Sequence, residues 1–429
     1  MFAAPRYQEH VGVSELAPVE TGSRRKSVAM WATLLFIASI PSENGVVIAG
    51  LGSLSRLIGV TAMALTLWSA ISKSGVRLRA PSLFLMATAA LVVWLLTSYY
   101  WSAFPLTTLS YVFTIVQMFA LAWLVHETCR SVKELASLMQ AFVLGCYVLI
   151  GTTLFNVLGS SDLAFRDLGS FNANGFAMVV ALGLPMAWFL QTRDARPNVD
   201  RIRPLWLRLL NGFYPVAGMI AMLVAASRGG LLVMLTALLV IPLTVQRLAW
   251  WRRALLAAAL AVATWTLALV APVVFPDAQA SIERLTGVSE ELSGGTLTGR
   301  TTIWSQGIEF VERSPILGMG AGTFAELHRV ETGRYKSAHN AFLALSVGGG
   351  LVALFLFGSL ILLALISAVR SNSEVRPYLV VLLAALVVAM LPANTDTDKF
   401  MWFVLALVGT QAPIYIVWRR PVRRPTDHA

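Results

Sequence analysis

Apolar stretches of bilayer-crossing length recur along almost the whole chain, and this recurrence limits the possible folds more than any motif does. A membrane helix takes about 20 apolar residues, and candidate stretches lie near 28–46, 55–71, 80–99, 106–125, 135–157, 174–191, 207–227, 229–246, 254–275, 339–369, 377–393 and 400–418. Hydrophobic residues make up 57% of the chain and charged ones 13%, which excludes a soluble enzyme, a disordered chain and a receptor with one anchor. The sequence therefore predicts an all-α integral membrane protein with about twelve transmembrane helices. The first stretch is the weakest, because Pro41-Ser42-Glu43-Asn44 interrupts it. The tenth is the longest and holds Gly348-Gly349-Gly350, which predicts a tilt or a kink.

An even number of spans puts both termini on one side, and the charges identify that side. Segments 1–27, 72–79, 126–134, 192–206, 247–253, 370–376 and 419–429, with Arg208, hold 23 Lys and Arg against 9 Asp and Glu, net +14. The rest holds 10 against 13, net −3, so the chain's +11 is an orientation signal and not a nucleic-acid footprint. Residues 1–27 then form a retained cytoplasmic tail, 28–275 carry nine spans, 276–338 form a long outer loop, 339–418 carry three spans, and 419–429 form a second cytoplasmic tail. The cytoplasmic loops are too short for a nucleotide-binding domain, and no G-x-x-x-x-G-K-[ST] sequence occurs. Cys129 and Cys146 are the only cysteines, which excludes a disulfide framework and a Cys/His zinc site.

The outer loop is the exceptional connection, because loops this long are usually functional or disordered. Arg300, Trp304, Ile308 and Val311 share one helical stripe, which predicts an amphipathic helix on the membrane surface. Three residues on the outer face carry candidate chemistry. Arg228 directly follows an apolar span in Ser227-Arg228-Gly229-Gly230; it reads as a snorkelling helix-end Arg or as one facing a polar cavity, with glycines that allow close approach. Arg300 reads as a headgroup anchor or an anion ligand. His339, where the loop enters the tenth span, reads as a helix-start residue or as a proton acceptor near pH 7. Gly318-x-Gly320-x-Gly322 lacks a surrounding βαβ pattern and reads as a tight turn after Ser314-Pro315. Asp396-x-Asp398 reads as two solvated acids before it reads as a metal site, since two carboxylates alone rarely complete an oxygen shell.

Together these motifs are more specific than any one of them. Ser227-Arg228-Gly229, Arg300-x-x-x-Trp304, the segment Ser314-Pro315-Ile316-Leu317-Gly318-Met319-Gly320-Ala321-Gly322-Thr323-Phe324, Ala338-His339-Asn340, and the earlier Gly169-Ser170-Phe171-Asn172-Ala173-Asn174-Gly175 resemble the bacterial O-antigen ligase and polymerase superfamily over about residues 165–355. The N-terminal spans match only in hydropathy and number. The resemblance implies a multi-pass glycosyltransferase of the bacterial inner membrane, similar to the GT-C-like enzymes that use lipid-linked sugars. It implies an undecaprenyl-diphosphate-linked glycan as donor, on the periplasmic face. The acceptor would be lipid A–core, a growing O-antigen or an exopolysaccharide chain. It implies no metal or other cofactor and no nucleic-acid partner, with other polysaccharide-assembly membrane proteins as possible company.

In that setting Arg228 and Arg300 would hold the diphosphate and stabilise its departing charge. His339 would deprotonate the acceptor hydroxyl or bind substrate, and sequence does not separate the two. Arg313, Arg329, Arg334 and Lys336 would add electropositive attraction. Asn172, Asn174 and Asn340 would contact diphosphate or glycan, or cap helices. The rival from another class is a polysaccharide flippase or secondary carrier. It is disfavoured because no half-to-half repeat is evident and the polar residues gather at the outer surface rather than mid-membrane.

Overall fold

The computed structural model describes residues 27–43, 45, 47–48, 52–72, 78–159, 173–194, 203–225, 227–245, 249–274 and 300–412. Fifteen α-helices are introduced here in chain order. They are α1 (Val28–Ser39), α2 (Leu54–Ser72), α3 (Leu83–Thr97), α4 (Pro105–Thr128), α5 (Val132–Gly159), α6 (Ala173–Asp194), α7 (Leu205–Ala225), α8 (Arg228–Leu238), α9 (Val240–Thr244), α10 (Trp250–Val274), α11 (Arg300–Arg313), α12 (Phe324–Thr332), α13 (Ala341–Arg370), α14 (Arg376–Met390) and α15 (Lys399–Gly409). A two-residue antiparallel pair, Val47–Ile48 with Gly52–Ser53, joins α1 to α2. Each of the twelve predicted stretches contains a helix. Among the described residues six helices are long and apolar enough to cross a membrane, and Val28–Ser39, Arg228–Thr244, Arg376–Met390 and Lys399–Gly409 are shorter apolar helices.

Local chemistry sets many of the helix starts. Ser27, Ser82, Ser227 and Asn340 cap α1, α3, α8 and α13 by accepting backbone N–H groups of their first turns. Pro105 opens α4, where its missing N–H is no loss. The core centres on α6, which packs against α5, α7, α8 and α14. From Phe176 to Leu190 nearly every α6 side chain is buried, and all of α15 is buried. Elsewhere the apolar surface faces outward: Trp31, Trp68, Phe113, Phe155 and Phe355 are each at least 60% exposed. Helices apolar on every face suit a lipid surround, so the chain is a multi-pass membrane protein.

The predicted kink and the predicted tight turn form one feature. Gly350 interrupts α13 with φ 67° and ψ −167°. The freed carbonyls of Val347 and Gly348 accept the N–H groups of Met319 and Gly320 at 2.8 and 2.9 Å, and that of Gly349 accepts Trp94 Nε1 at 2.7 Å. Pro315 O accepts the N–H of Leu351 at 2.8 Å. Buried backbone groups without partners are costly in lipid, and here each strand of the break satisfies the other. The approach leaves no room for side chains: a Cβ on Gly350 would lie 2.0 Å from Ile316 O, and one on Gly318 2.5 Å from Gly350 N.

The amphipathic stripe needs correction. In α11 the buried residues are Ile303, Gly307 and Phe310, with Trp304 and Val311 packed beside them, while Ile308 is 55% exposed. The buried face rests on α13, where a Cβ on Gly307 would come within 2.7 Å of Leu343. Protein packing rather than lipid therefore selects the face, one position away from the stripe read in sequence.

Replacing Gly350 by Ala combines a positive φ with a clash. We expect it to lower stability by about 2 kcal/mol or more, seen as a lower thermal midpoint of the detergent-solubilised protein; an unchanged midpoint would contradict the docked break.

Candidate active site

Arg228, Arg300 and His339 come to one end of the bundle, carried by three separate elements. Arg228 is the first residue of α8, and the Ser227 hydroxyl accepts the N–H of Gly230 at 3.0 Å while donating to Asn174 Oδ1 at 2.5 Å. The starts of α8 and α6 are thereby joined. Gly230 allows the contact, since a Cβ there would lie 2.1 Å from that of Ala177. Asn174 thus serves the helix junction, while Asn172 lies outside the described residues.

Arg300 opens α11, and the same helix reaches His339 indirectly: Trp304 Nε1 donates to the carbonyl of Ala338 at 2.9 Å. His339 has φ 48°, the only positive φ of a non-glycine residue among those described. Such a conformation is uncommon and points to a constrained position. Asn340 follows in extended backbone. Its side chain caps Leu343 N at 3.0 Å, and its own N–H donates to Asn394 Oδ1 at 3.0 Å. Asn340 is therefore a cap. Asn394 had no sequence signal beyond its place in the last outer loop.

Electrostatics also groups the three residues. Partial burial first, and then Arg228, hold the Arg300 guanidinium's pKa below the ordinary arginine value; the group remains a cation near neutrality. Burial first, then Arg300 and Lys336, lower the pKa of His339 from 6.5. The shift favours the neutral ring, the form that accepts a proton. Two half-buried arginines grouped with an imidazole are an arrangement that can hold an anion beside a proton acceptor.

The weaker candidates divide. Arg313 pairs with Glu331 and lies 5.2 Å over the Phe310 ring, fastening α11 to α12. Arg329 pairs with Glu326 on its own helix at 2.9 Å. Arg334 and Lys336 are exposed on the segment leading to His339, and only Lys336 bears on its pKa. Asp396 is buried and accepts the Tyr111 hydroxyl; burial raises its pKa. Burial, then Asp396 and Glu43, push Asp398 up to about 8. Neither behaves as a solvated acid, and among the described residues no three His, Cys, Asp or Glu side chains are grouped to hold a metal ion.

Residues 213–358 match the family model described as O-antigen ligase. This third of the chain contains Arg228, Arg300 and His339, and the resemblance to the O-antigen ligase and polymerase superfamily stands on it. The match supports an O-antigen ligase-type function in polysaccharide biosynthesis. A comparison with curated proteins finds no match.

Because Arg300 lowers the His339 pKa more than Lys336 does, Arg300→Gln is expected to raise it toward 6.5. Ring titration by NMR of histidine-labelled protein measures this, and a fall or no change would separate the two residues.

Proposed function

We propose that the chain is a periplasmic-face glycosyltransferase that moves a glycan from undecaprenyl diphosphate to an acceptor hydroxyl, as an O-antigen ligase or an O-antigen or exopolysaccharide polymerase. The observation that carries this reading is the convergence of Arg228, Arg300 and His339 within the O-antigen ligase match. In this reading the protein crosses the bacterial inner membrane twelve times with both termini in the cytoplasm, and the +14 end faces inward.

The reaction follows from the residues. The donor's diphosphate sits between Arg228 and Arg300, whose planar donors match phosphate oxygens. His339 takes the proton of the acceptor hydroxyl as its oxygen bonds to the anomeric carbon. The sugar–phosphate bond breaks with its electron pair going to the diphosphate, and the two guanidiniums stabilise that charge. A single displacement inverts the anomeric centre. Lys336 and Arg334 attract the anionic donor from the rim. Neither a metal nor another cofactor has a role in these steps.

The polyprenyl tail needs an apolar path into the bilayer. A cavity of about 230 Å³ lies between α8 and α10, lined by Leu235, Thr236, Leu238, Leu239, Ala257, Leu260 and Ala261. It begins two turns along the helix that Arg228 opens, so a lipid held at Arg228 by its diphosphate runs down α8 into it. No residue of α10 with a described side chain is fully buried, which leaves this side of the bundle open to lipid.

Two tests separate headgroup from tail. In membrane-reconstituted transfer, Arg228→Ala and Arg300→Ala each lose about 10²–10³ in turnover and His339→Ala about 10²–10⁴; near-wild-type transfer by His339→Ala removes the base. Ala257→Trp fills the cleft and raises the donor KM with little change in turnover at saturation; an unchanged KM places the tail elsewhere.

A further inference from the structure

The connection 391–398 between α14 and α15 holds the two acids that the proposed reaction leaves unused, and it touches both sides of the site. Pro392 lies against Gly229, the neighbour of Arg228: a Cβ on Gly229 would be 3.1 Å from Pro392 Cγ. Two residues later, Asn394 Oδ1 accepts the backbone N–H of Asn340, the neighbour of His339, at 3.0 Å. The connection is firmly seated. Asp396 accepts the Tyr111 hydroxyl from α4, and its carbonyl accepts Trp402 Nε1 at 2.7 Å. The N–H of Asp398 donates to Thr395 O at 3.0 Å, and buried Lys399 pairs with Glu43 from the α1–α2 connection.

His339 needs such support. A non-glycine residue keeps a left-handed backbone only where its surroundings over-determine it. Trp304 fixes the residue before it and Asn394 the residue after it. The bond from Trp304 comes from the helix of Arg300, and the bond from Asn394 comes from the segment that rests on Gly229. Buried Asp396 thus acts as seating for a short bridge between the two halves of the site.

We propose that residues 391–398 set the separation of Arg228 and His339, and that Asn394 is a positioning residue that holds His339 in place through the backbone of Asn340. This rests on the reading that both residues serve one reaction. Asn394 touches neither substrate nor reacting atoms.

The test uses the full-length protein in nanodiscs, with ¹³C-labelled histidine and the His339 signal assigned by its loss in His339→Gln. In Asn394→Ala, or in the near-isosteric Asn394→Leu should Ala not fold, the His339 titration is expected to move toward 6.5 as the ring leaves Arg300. Turnover is expected to fall by about a hundredfold, the scale of an ångström-sized misplacement, at an unchanged donor KM. Asn394→Asp keeps an acceptor oxygen for Asn340 and restores most of the turnover. A wild-type titration of His339 in the folded Ala or Leu variant overturns the proposal, as does an Asp variant as inactive as Ala. The titration needs no transfer, so it judges the positioning even if His339→Ala retains full activity and the glycosyltransferase reading falls.

Discussion

The site depends on one backbone docking. A membrane helix cannot leave carbonyls unpaired in lipid, yet α13 breaks at Gly350 in its first third. The break is stable because the turn at Gly318–Gly322 supplies N–H donors to Val347 and Gly348, and Trp94 supplies one to Gly349. Glycine on both partners is required by distance, since added β-carbons would overlap backbone atoms. The same turn binds the 3-10 turn Ser98–Trp101 that follows α3, where Ser98 Oγ accepts the N–H of Ala321 at 3.0 Å and Trp101 Nε1 donates to Leu317 O at 3.2 Å. The segment between α11 and α12 is thereby fastened to the end of α3 and the first turns of α13. Because α11 precedes this turn and His339 follows it, Arg300 and His339 are placed by its position.

The site itself is assembled through neighbours. Ser227, Asn174, Trp304, Ala338, Asn340 and Asn394 carry the structural hydrogen bonds, and each lies next to or near a charged residue without being one. The side chains of Arg228, Arg300 and His339 are not the groups that make those bonds. It also explains why burial rather than a tight partner is the leading influence on the pKa values of Arg300 and His339.

Much of this was legible in sequence for a physical reason. Apolar helices announce themselves by bulk hydropathy, so each of the twelve stretches contains a helix, six of them among the described residues long and apolar enough to cross a membrane, and Gly348-Gly349-Gly350 and Gly318-x-Gly320-x-Gly322 mark backbone departures that few other residues tolerate. What sequence concealed was partnership. Neither glycine run names the other, and Asp396 reads as a surface acid until Tyr111 and Trp402 close over it. The stripe of α11 was misplaced because periodicity alone does not say whether lipid or α13 supplies the apolar surface; Ile308 faces out and Phe310 in. Arg313 looked like a ligand for anions because its partner, Glu331, lies on a different helix.

The docking also has a consequence for biogenesis. Ser98 meets Ala321 across 223 residues and Trp94 meets Gly349 across 255. Spans enter a bilayer in order as the chain is made, so the C-terminal end of α3 waits for its partners through much of synthesis. The last spans must then arrive before the connection 391–398 can seat. Arg228, Arg300 and His339 therefore reach their final arrangement only in a nearly finished chain.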